Sequence, residues 1–334
     1  MSERHMTVHM TDGNAVHTAI AALHHEHASI NSHIESGSGT ASERTETSTG
    51  AQKGKRKRSG KGSLVAGILI MVLGAGLLLY PMVAQLLSAH SEVESVATYD
   101  RNAERMSDAQ KASMLRSARE YNDRVREGKT PIHNLGDSSY ATDADYMAQL
   151  NVSDVMGSVH IPSISVNLPI YHGTQPAQLN VGAGHLYGTS LPVGGKGSNA
   201  VLAGHRGLPS ALIFTRLDEL NKGDYFYVEV LGEQLWYKVD AIWVTSPEDI
   251  SHFGIDPQRD VVTLLTCTPY GVNTERLLVQ GVRTQAPRSM PQDEGVYPAG
   301  LYAALVTAAG LIIMVPIVRM HSRRTVSAIH WSGK

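Results

Sequence analysis

A mainly β domain, a barrel or sandwich held between two membrane-spanning helices, is the architecture the sequence predicts. Three observations carry it. From Gly157 onward, short runs of β-branched and aromatic residues are broken by Gly, Pro and Asn, the texture of many short strands joined by turns. Two apolar stretches, residues 64–87 and 296–318, flank that region, and about 20 apolar residues suffice to cross a bilayer. Basic residues border each stretch on the side away from the β region.

The chain has 334 residues and a formal net charge of -2. That near-neutral balance speaks against a nucleic-acid binder, which carries a strong basic bias. Residues 1–62 are rich in His, Ser, Thr, Glu and Gly and poor in large apolar side chains. Such a stretch buries too little surface to offset the entropy of ordering, so a disordered tail is expected. His24, His25 and His27 stand in it without partner ligands at helical or hairpin spacing, so a solvated tail is favoured over a metal site.

Lys53, Lys55, Arg56, Lys57, Arg58 and Lys61 precede the first apolar stretch, which is uncharged and holds one Gln. A signal-peptide core would be shorter and would not follow sixty polar residues. The positive-inside bias therefore places the tail in the cytoplasm and predicts an uncleaved span over 64–87. Arg319, His321, Arg323 and Arg324 follow the second stretch, which puts residues 319–334 in the cytoplasm too and everything between the spans outside. Residues 88–156 form a helical, lid-like region. Val93, Val96, Met106, Met114, Leu115 and Val125 recur there at helical spacing.

The β domain is expected over 157–286. Its runs are 158–161, 168–171, 200–203, 225–230, 235–244, 261–266 and 276–282, with Leu231-Gly232-Glu233 as a turn and one helix expected around 210–217. The sixth run ends at Cys267, the single cysteine of the chain. One thiol excludes an intramolecular disulfide and a cysteine zinc cluster, leaving an inert buried residue or a nucleophile. Thr268-Pro269-Tyr270-Gly271-Val272-Asn273-Thr274 is turn chemistry, and the run after it begins at Arg276. In an antiparallel hairpin, the end of one strand lies beside the start of the next. Cys267 and Arg276 are therefore expected to meet at the hairpin mouth. There an arginine favours the thiolate and can hold charge on a carbonyl oxygen. Two histidines compete as the third group. His205, in Gly204-His205-Arg206-Gly207, ends one run; His185, in Gly184-His185-Leu186, is also preceded by glycine. Local chemistry prefers His205 only modestly.

Thr263-Leu264-Leu265-Thr266-Cys267 resembles the Thr-Leu-any-Thr-Cys signature of sortases, with Pro269 following and Arg276 at the expected distance. Gly204-His205-Arg206-Gly207-Leu208-Pro209 is similar to the histidine segment of class C sortases, which assemble pili. The resemblance implies a closed eight-stranded β-barrel with helical additions. It implies Cys267 as nucleophile, His205 as general acid and base, and Arg276 as the group that stabilises the substrate or its oxyanion. A second, C-terminal anchor also fits that class. One departure stands out. Class C members often carry an Asp-Pro-aromatic lid before the barrel, whereas residues 130–150 hold Asp137-Ser138-Ser139-Tyr140 and Asp143-Ala144-Asp145-Tyr146. Either a lid of different chemistry or none is compatible with this, and no lid residue is assigned.

By the same resemblance, the chain cleaves a Leu-Pro-any-Thr-Gly-like sorting signal between Thr and Gly and passes the acyl group to an amine. It needs no metal or organic cofactor. Its partners would be pilin or surface-protein substrates, an amine acceptor (a pilin lysine or a cell-wall precursor) and the lipid bilayer, with no nucleic acid. The competing readings are a housekeeping sortase that joins proteins to peptidoglycan precursor and a catalytically silent, membrane-tethered binding module.

Overall fold

The computed structural model describes residues 60–289 and 292, and singly positions 306, 309, 310, 314 and 316. Residues 1–59, with the His-rich tail and most of the basic run, lie outside the described residues. So does the second apolar stretch, apart from those five positions, each of which is helical.

Helix α1 (Gly60–Glu104) has 45 residues, roughly 68 Å at about 1.5 Å rise per residue. Residues 60–62, read from the sequence as part of the tail, are helical. Among the described residues α1 is the one helix long and apolar enough to cross a membrane. A bilayer core of about 30 Å accounts for less than half its length. The remainder turns amphipathic: Val96, Tyr99 and Ala103 are buried at the three- and four-residue spacing of one helix face. Helix α2 (Asp108–Arg126) starts at a capping box, in which the Ser107 hydroxyl accepts from Gln110 N–H and the Gln110 side chain accepts from Ser107 N–H. It buries Leu115, Ala118, Tyr121, Asn122 and Val125. The two Asp-x-x-Tyr segments form a 3-10 turn (Ser139–Thr142) and a short helix α3 (Ala144–Ala148). Both deliver tyrosines to the core, Tyr140 and Tyr146.

The eight strands are β1 (Gly157–Ile161), β2 (Val166–His172), β3 (Ala183–His185), β4 (Ser198–Ala203), β5 (Tyr225–Val230), β6 (Glu233–Thr245), β7 (Asp260–Thr268) and β8 (Glu275–Arg283). They close into a barrel in the order β1-β2-β3-β4-β7-β8-β6-β5. The β2–β3 and β4–β7 pairs are parallel and the others antiparallel. A short helix α4 (Pro176–Leu179) lies in the β2–β3 crossover. Seven strands fall on the runs read from the sequence. β3 does not: its three residues, Ala183-Gly184-His185, carry no strand-forming side chain.

The helix expected around 210–217 is not present; a 3-10 turn, Leu217–Glu219, follows irregular turns instead. Ile213 has φ +41°, outside the right-handed helical region. Phe214 N–H donates to His205 O at 3.1 Å, out of the segment altogether.

The buried Tyr99 hydroxyl ties α1 to the barrel. It donates to Met156 O at 3.2 Å and accepts from Leu231 N–H at 2.8 Å. Tyr99→Phe leaves both backbone groups without that partner. It should lower unfolding free energy by about 1–3 kcal/mol, the range for a buried polar group left unpaired. Urea unfolding of the full chain in detergent checks this; unchanged stability would show that the hydroxyl contributes nothing net.

Candidate active site

The site is built where β4 and β7 end beside the start of β8. β7 lies between the other two, parallel to β4 and antiparallel to β8. Side-chain hydrogen bonds buried in the wall join the three. Thr263 Oγ1 donates to Asn199 Oδ1 at 2.9 Å and accepts from Gln280 Nε2 at 3.1 Å. Asn199 Nδ2 in turn donates to His252 O and Gly254 O at 3.1 and 3.2 Å. Nearer the strand ends, Thr266 Oγ1 donates to Gly204 O at 2.8 Å, and Gly204 N–H donates to Leu265 O at 2.9 Å. Both threonines of the Thr-Leu-Leu-Thr-Cys run thus bond β7 to a neighbouring strand or its continuation.

In this register Cys267 and Arg276 are direct cross-strand partners. Ala203 pairs with Leu265, so the chain leaving β4 brings His205 level with Cys267. Gly204 makes that approach possible: a Cβ there would stand 2.6 Å from the Phe214 ring. Gly207 turns the loop at φ +81°, a conformation that favours glycine. Arg206 fastens the loop to the cysteine hairpin. It donates to Thr268 Oγ1 at 3.0 Å, pairs with Asp218 and lies over the Tyr270 ring. The Thr268-Pro269 peptide that opens the hairpin turn is cis.

His205, Cys267 and Arg276 are each partly exposed. Among the described residues, neither the His205 ring nor the Cys267 thiol has a hydrogen-bond partner. Arg276 donates through one Nη to Asn273 O and Glu275 O at 3.3 and 3.1 Å, while its buried Nε has no partner. Half-burial lowers the His205 pKa below its ordinary value, because the charged imidazolium loses hydration. The chain therefore presents a thiol, an uncommitted imidazole and a guanidinium at the end of a rigid wall. That combination suits attack on a carbonyl followed by proton transfer to a leaving group.

The same combination marks known proteins. A sortase-domain family model matches residues 159–284. The structure superposes on Streptococcus pneumoniae sortase C with a TM-score of 0.53 and 39 % identity, over 58 % of this chain and 99 % of that one. The chain belongs to the sortase family. Sortase C-1 of Actinomyces oris is similar at 44 % identity and a TM-score of 0.50, over 53 % of this chain and 99 % of that structure. Among curated relatives, Sortase A of Streptococcus agalactiae is 28 % identical over 180 residues, 52 % of this chain and 72 % of its own length. Other curated relatives are matched over 62–63 % of theirs, less than two thirds. The structural neighbours of this sortase are thus of class C, and its homologues are cysteine transpeptidases.

His185 has a different place. It lies on β3 with no exposed surface. Its Nε2–H donates to Ser190 O at 2.8 Å, and its Nδ1 accepts from the Tyr146 hydroxyl at 2.9 Å. Both nitrogens are committed to the core, and desolvation pushes its pKa down to about 4. Sequence reasoning did not single out Arg206, Asn199, Gln280 or Tyr146. A polar residue inside an apolar strand run was the available signal for Asn199 and Gln280. The sequence offered none for Arg206, whose partners come from distant segments. Residues 130–150 make no hydrogen bond, ion pair or ring contact with His205, Cys267 or Arg276 among the described residues.

The burial of His185 sets a pH dependence. Its folded pKa lies below its ordinary value of 6.5, so the unfolded chain takes the proton first. Stability is full above about pH 6.5 and falls as pH drops towards 4, by up to roughly 3 kcal/mol from this group. His160, which burial also lowers to about 4, adds to the slope. His185→Gln should start less stable but lose less between pH 6.5 and 4, as read by urea midpoints. An identical slope in the variant would remove His185 from the account.

Proposed function

We propose that this sortase is a membrane-anchored transpeptidase in which Cys267, His205 and Arg276 carry the chemistry. The observation that supports it is the cross-strand pairing of Cys267 with Arg276 beside the uncommitted imidazole of His205. The Cys267 thiolate attacks the Thr carbonyl carbon of a Leu-Pro-any-Thr-Gly-like signal. A C–S bond forms, the C–N bond to Gly breaks, and His205 gives its proton to the leaving amine. An acceptor amine then attacks the thioester, His205 takes its proton and the thiolate departs. Arg276 holds the carbonyl oxygen while it carries negative charge.

Residues 64–87 would anchor the chain, with a second span over 296–318 and both ends cytoplasmic. The catalytic domain over 157–286 would then lie outside. The acceptor we favour is a pilin lysine. The solved class C structures, one of which is described in terms of pilin substrate specificity, share 38–44 % identity with this chain in the cases of S. pneumoniae and A. oris. A second reading, anchoring to a peptidoglycan precursor, draws on the curated relatives named Sortase A, which are 28–31 % identical. The higher identity favours pilus assembly.

Cys267→Ala should abolish thioester formation. His205→Ala should lower the rate by about 10²-fold or more, and His185→Ala by much less in protein that remains folded. Arg276→Lys keeps the charge but loses the planar fork, and should lose about 10²-fold. Turnover of a sorting peptide measures all four. Residual activity in Cys267→Ala, or a larger loss at His185 than at His205, would overturn the assignment.

Mixing the enzyme with a pilin that carries the signal tests the acceptor. A ladder of covalent multimers with Lys-to-Thr isopeptide bonds in mass spectra supports polymerisation. Indifference to pilin lysines with efficient transfer to a cell-wall precursor amine would leave the anchoring reading instead.

A further inference from the structure

Helix α1 fixes which pole of the barrel faces its apolar stretch. Near one pole, Tyr99 bonds Leu231 in the β5–β6 turn and Met156 before β1. Fourteen residues earlier, Gln85 Nε2 donates to Pro209 O at 3.2 Å. Gln85 belongs to the last turn of the apolar stretch 64–87, and Pro209 belongs to the loop that carries His205. The separation along the helix is about 21 Å at 1.5 Å per residue, so α1 runs along the barrel wall. The pole with Cys267 is level with the end of the apolar stretch, and the β5–β6 turn is farthest from it.

The exposed apolar side chains divide the same way. Val181 before β3, Leu212 in the His205 loop, Val244 late in β6, and Tyr270 and Val272 in the β7–β8 turn are all exposed. All five lie towards the Cys267 pole; Ile250 sits in the β6–β7 crossover. The opposite pole, at the 194–197 loop and the start of β7, is lined by Arg119, Asp123, Arg126, Lys196 and Glu233. Among the described residues it has no exposed large apolar side chain. Around Cys267 the charged residues include the pairs Arg206–Asp218 and Arg216–Glu219 and the exposed Glu275.

We propose that the Cys267 pole rests on the lipid surface of the membrane that α1 spans, with Leu212, Tyr270 and Val272 in the headgroup layer. This rests on the reading of residues 64–87 as a span. Apolar side chains gain by leaving water there, and a tyrosine suits the interface because its ring is apolar and its hydroxyl polar. The occupant is lipid because Leu212 lines one cleft with Gln85, Ala89 and Val93 of α1, beside the end of the apolar stretch, where Leu86 and Leu87 are 69 % and 65 % exposed. Cleavage and transfer then take place within a headgroup layer of the bilayer, so a substrate must present its scissile bond at that depth.

Site-directed spin labelling of the full chain in phosphatidylglycerol–phosphatidylcholine vesicles tests this. In a Cys267→Ala background, single labels go on Leu77→Cys, Leu212→Cys, Val272→Cys and Glu233→Cys. Collision with oxygen, which partitions into lipid, is compared with collision by a water-soluble nickel chelate. The proposal expects labels at 77, 212 and 272 to favour oxygen, deepest at 77, and the label at 233 to favour the chelate. If 77 favours oxygen while 212 and 272 match 233, the span stands and the docked pole is wrong. If 77 also matches 233, the span itself fails and the docking fails with it.

Discussion

The position of β7 between β4 and β8 is the constraint on which the site depends. A strand slipped by one residue would turn Cys267 to the other face of the wall and break its pairing with Arg276. Apolar contacts alone distinguish such registers weakly, because neighbouring Val and Leu residues in 261–265 can substitute for one another. Hydrogen-bonding groups cannot. Asn199, Thr263 and Gln280 are all buried and bond one another across the three strands in the observed register. Moving any of the three strands strands a buried amide or hydroxyl, which costs about 1–3 kcal/mol per group. The Thr266 bond to Gly204 O then carries the same register to the loop that holds His205.

Much of the barrel was legible because its strands are long enough to show their chemistry. β5, Tyr225–Val230, alternates buried and half-buried residues along its whole length, the period-2 signal itself. β3 shows what escapes that logic. It is three residues long and exists because β2 and β4 flank it, so its cause lies outside its own sequence. The segment around 210–217 failed for the opposite reason. Its composition permits a helix, but the Phe214 N–H leaves the segment for His205 O while Thr215 N–H closes a tight turn on Leu212 O, and local propensity is a weak prior against a bond such as the first.

The histidines show where local reading of the site ends. His185 and His205 both follow a glycine, the first at the end of β3 and the second two residues past the end of β4. Their difference is entirely one of surroundings. Gly184 lies against Gly173 O, with a virtual Cβ only 2.4 Å from it, so the backbone at His185 is drawn into the wall. There the imidazole completes a chain from Tyr146 to Ser190. Gly204 lets Phe214 pack beneath the loop, and His205 emerges with its ring uncommitted. The resemblance of Gly204–Pro209 to a family motif chose between them where side-chain chemistry could not.

The contrast extends to the polar atoms around the cysteine. In the wall behind it, Asn199, Thr263, Thr266 and Gln280 are all paired. At the strand ends, Arg206 Nε, Thr245 Oγ1 and Arg276 Nε are buried without partners. Thr245 pairs across β6–β8 with Arg276, and Arg276 across β7–β8 with Cys267, so two of these atoms belong to neighbouring rungs beside the thiol. Among the described residues four more buried polar atoms lack partners, Tyr121 Oη, Ser163 Oγ, Asn167 Oδ1 and Gln178 Oε1, so the open atoms beside the thiol are a local cluster and not the only ones in the fold. The paired groups behind the thiol fix the strands that carry it and Arg276. In that fixed register Cys267 and Arg276 are held as cross-strand partners, so the guanidinium would already stand beside the thiol when charge develops on a bound carbonyl.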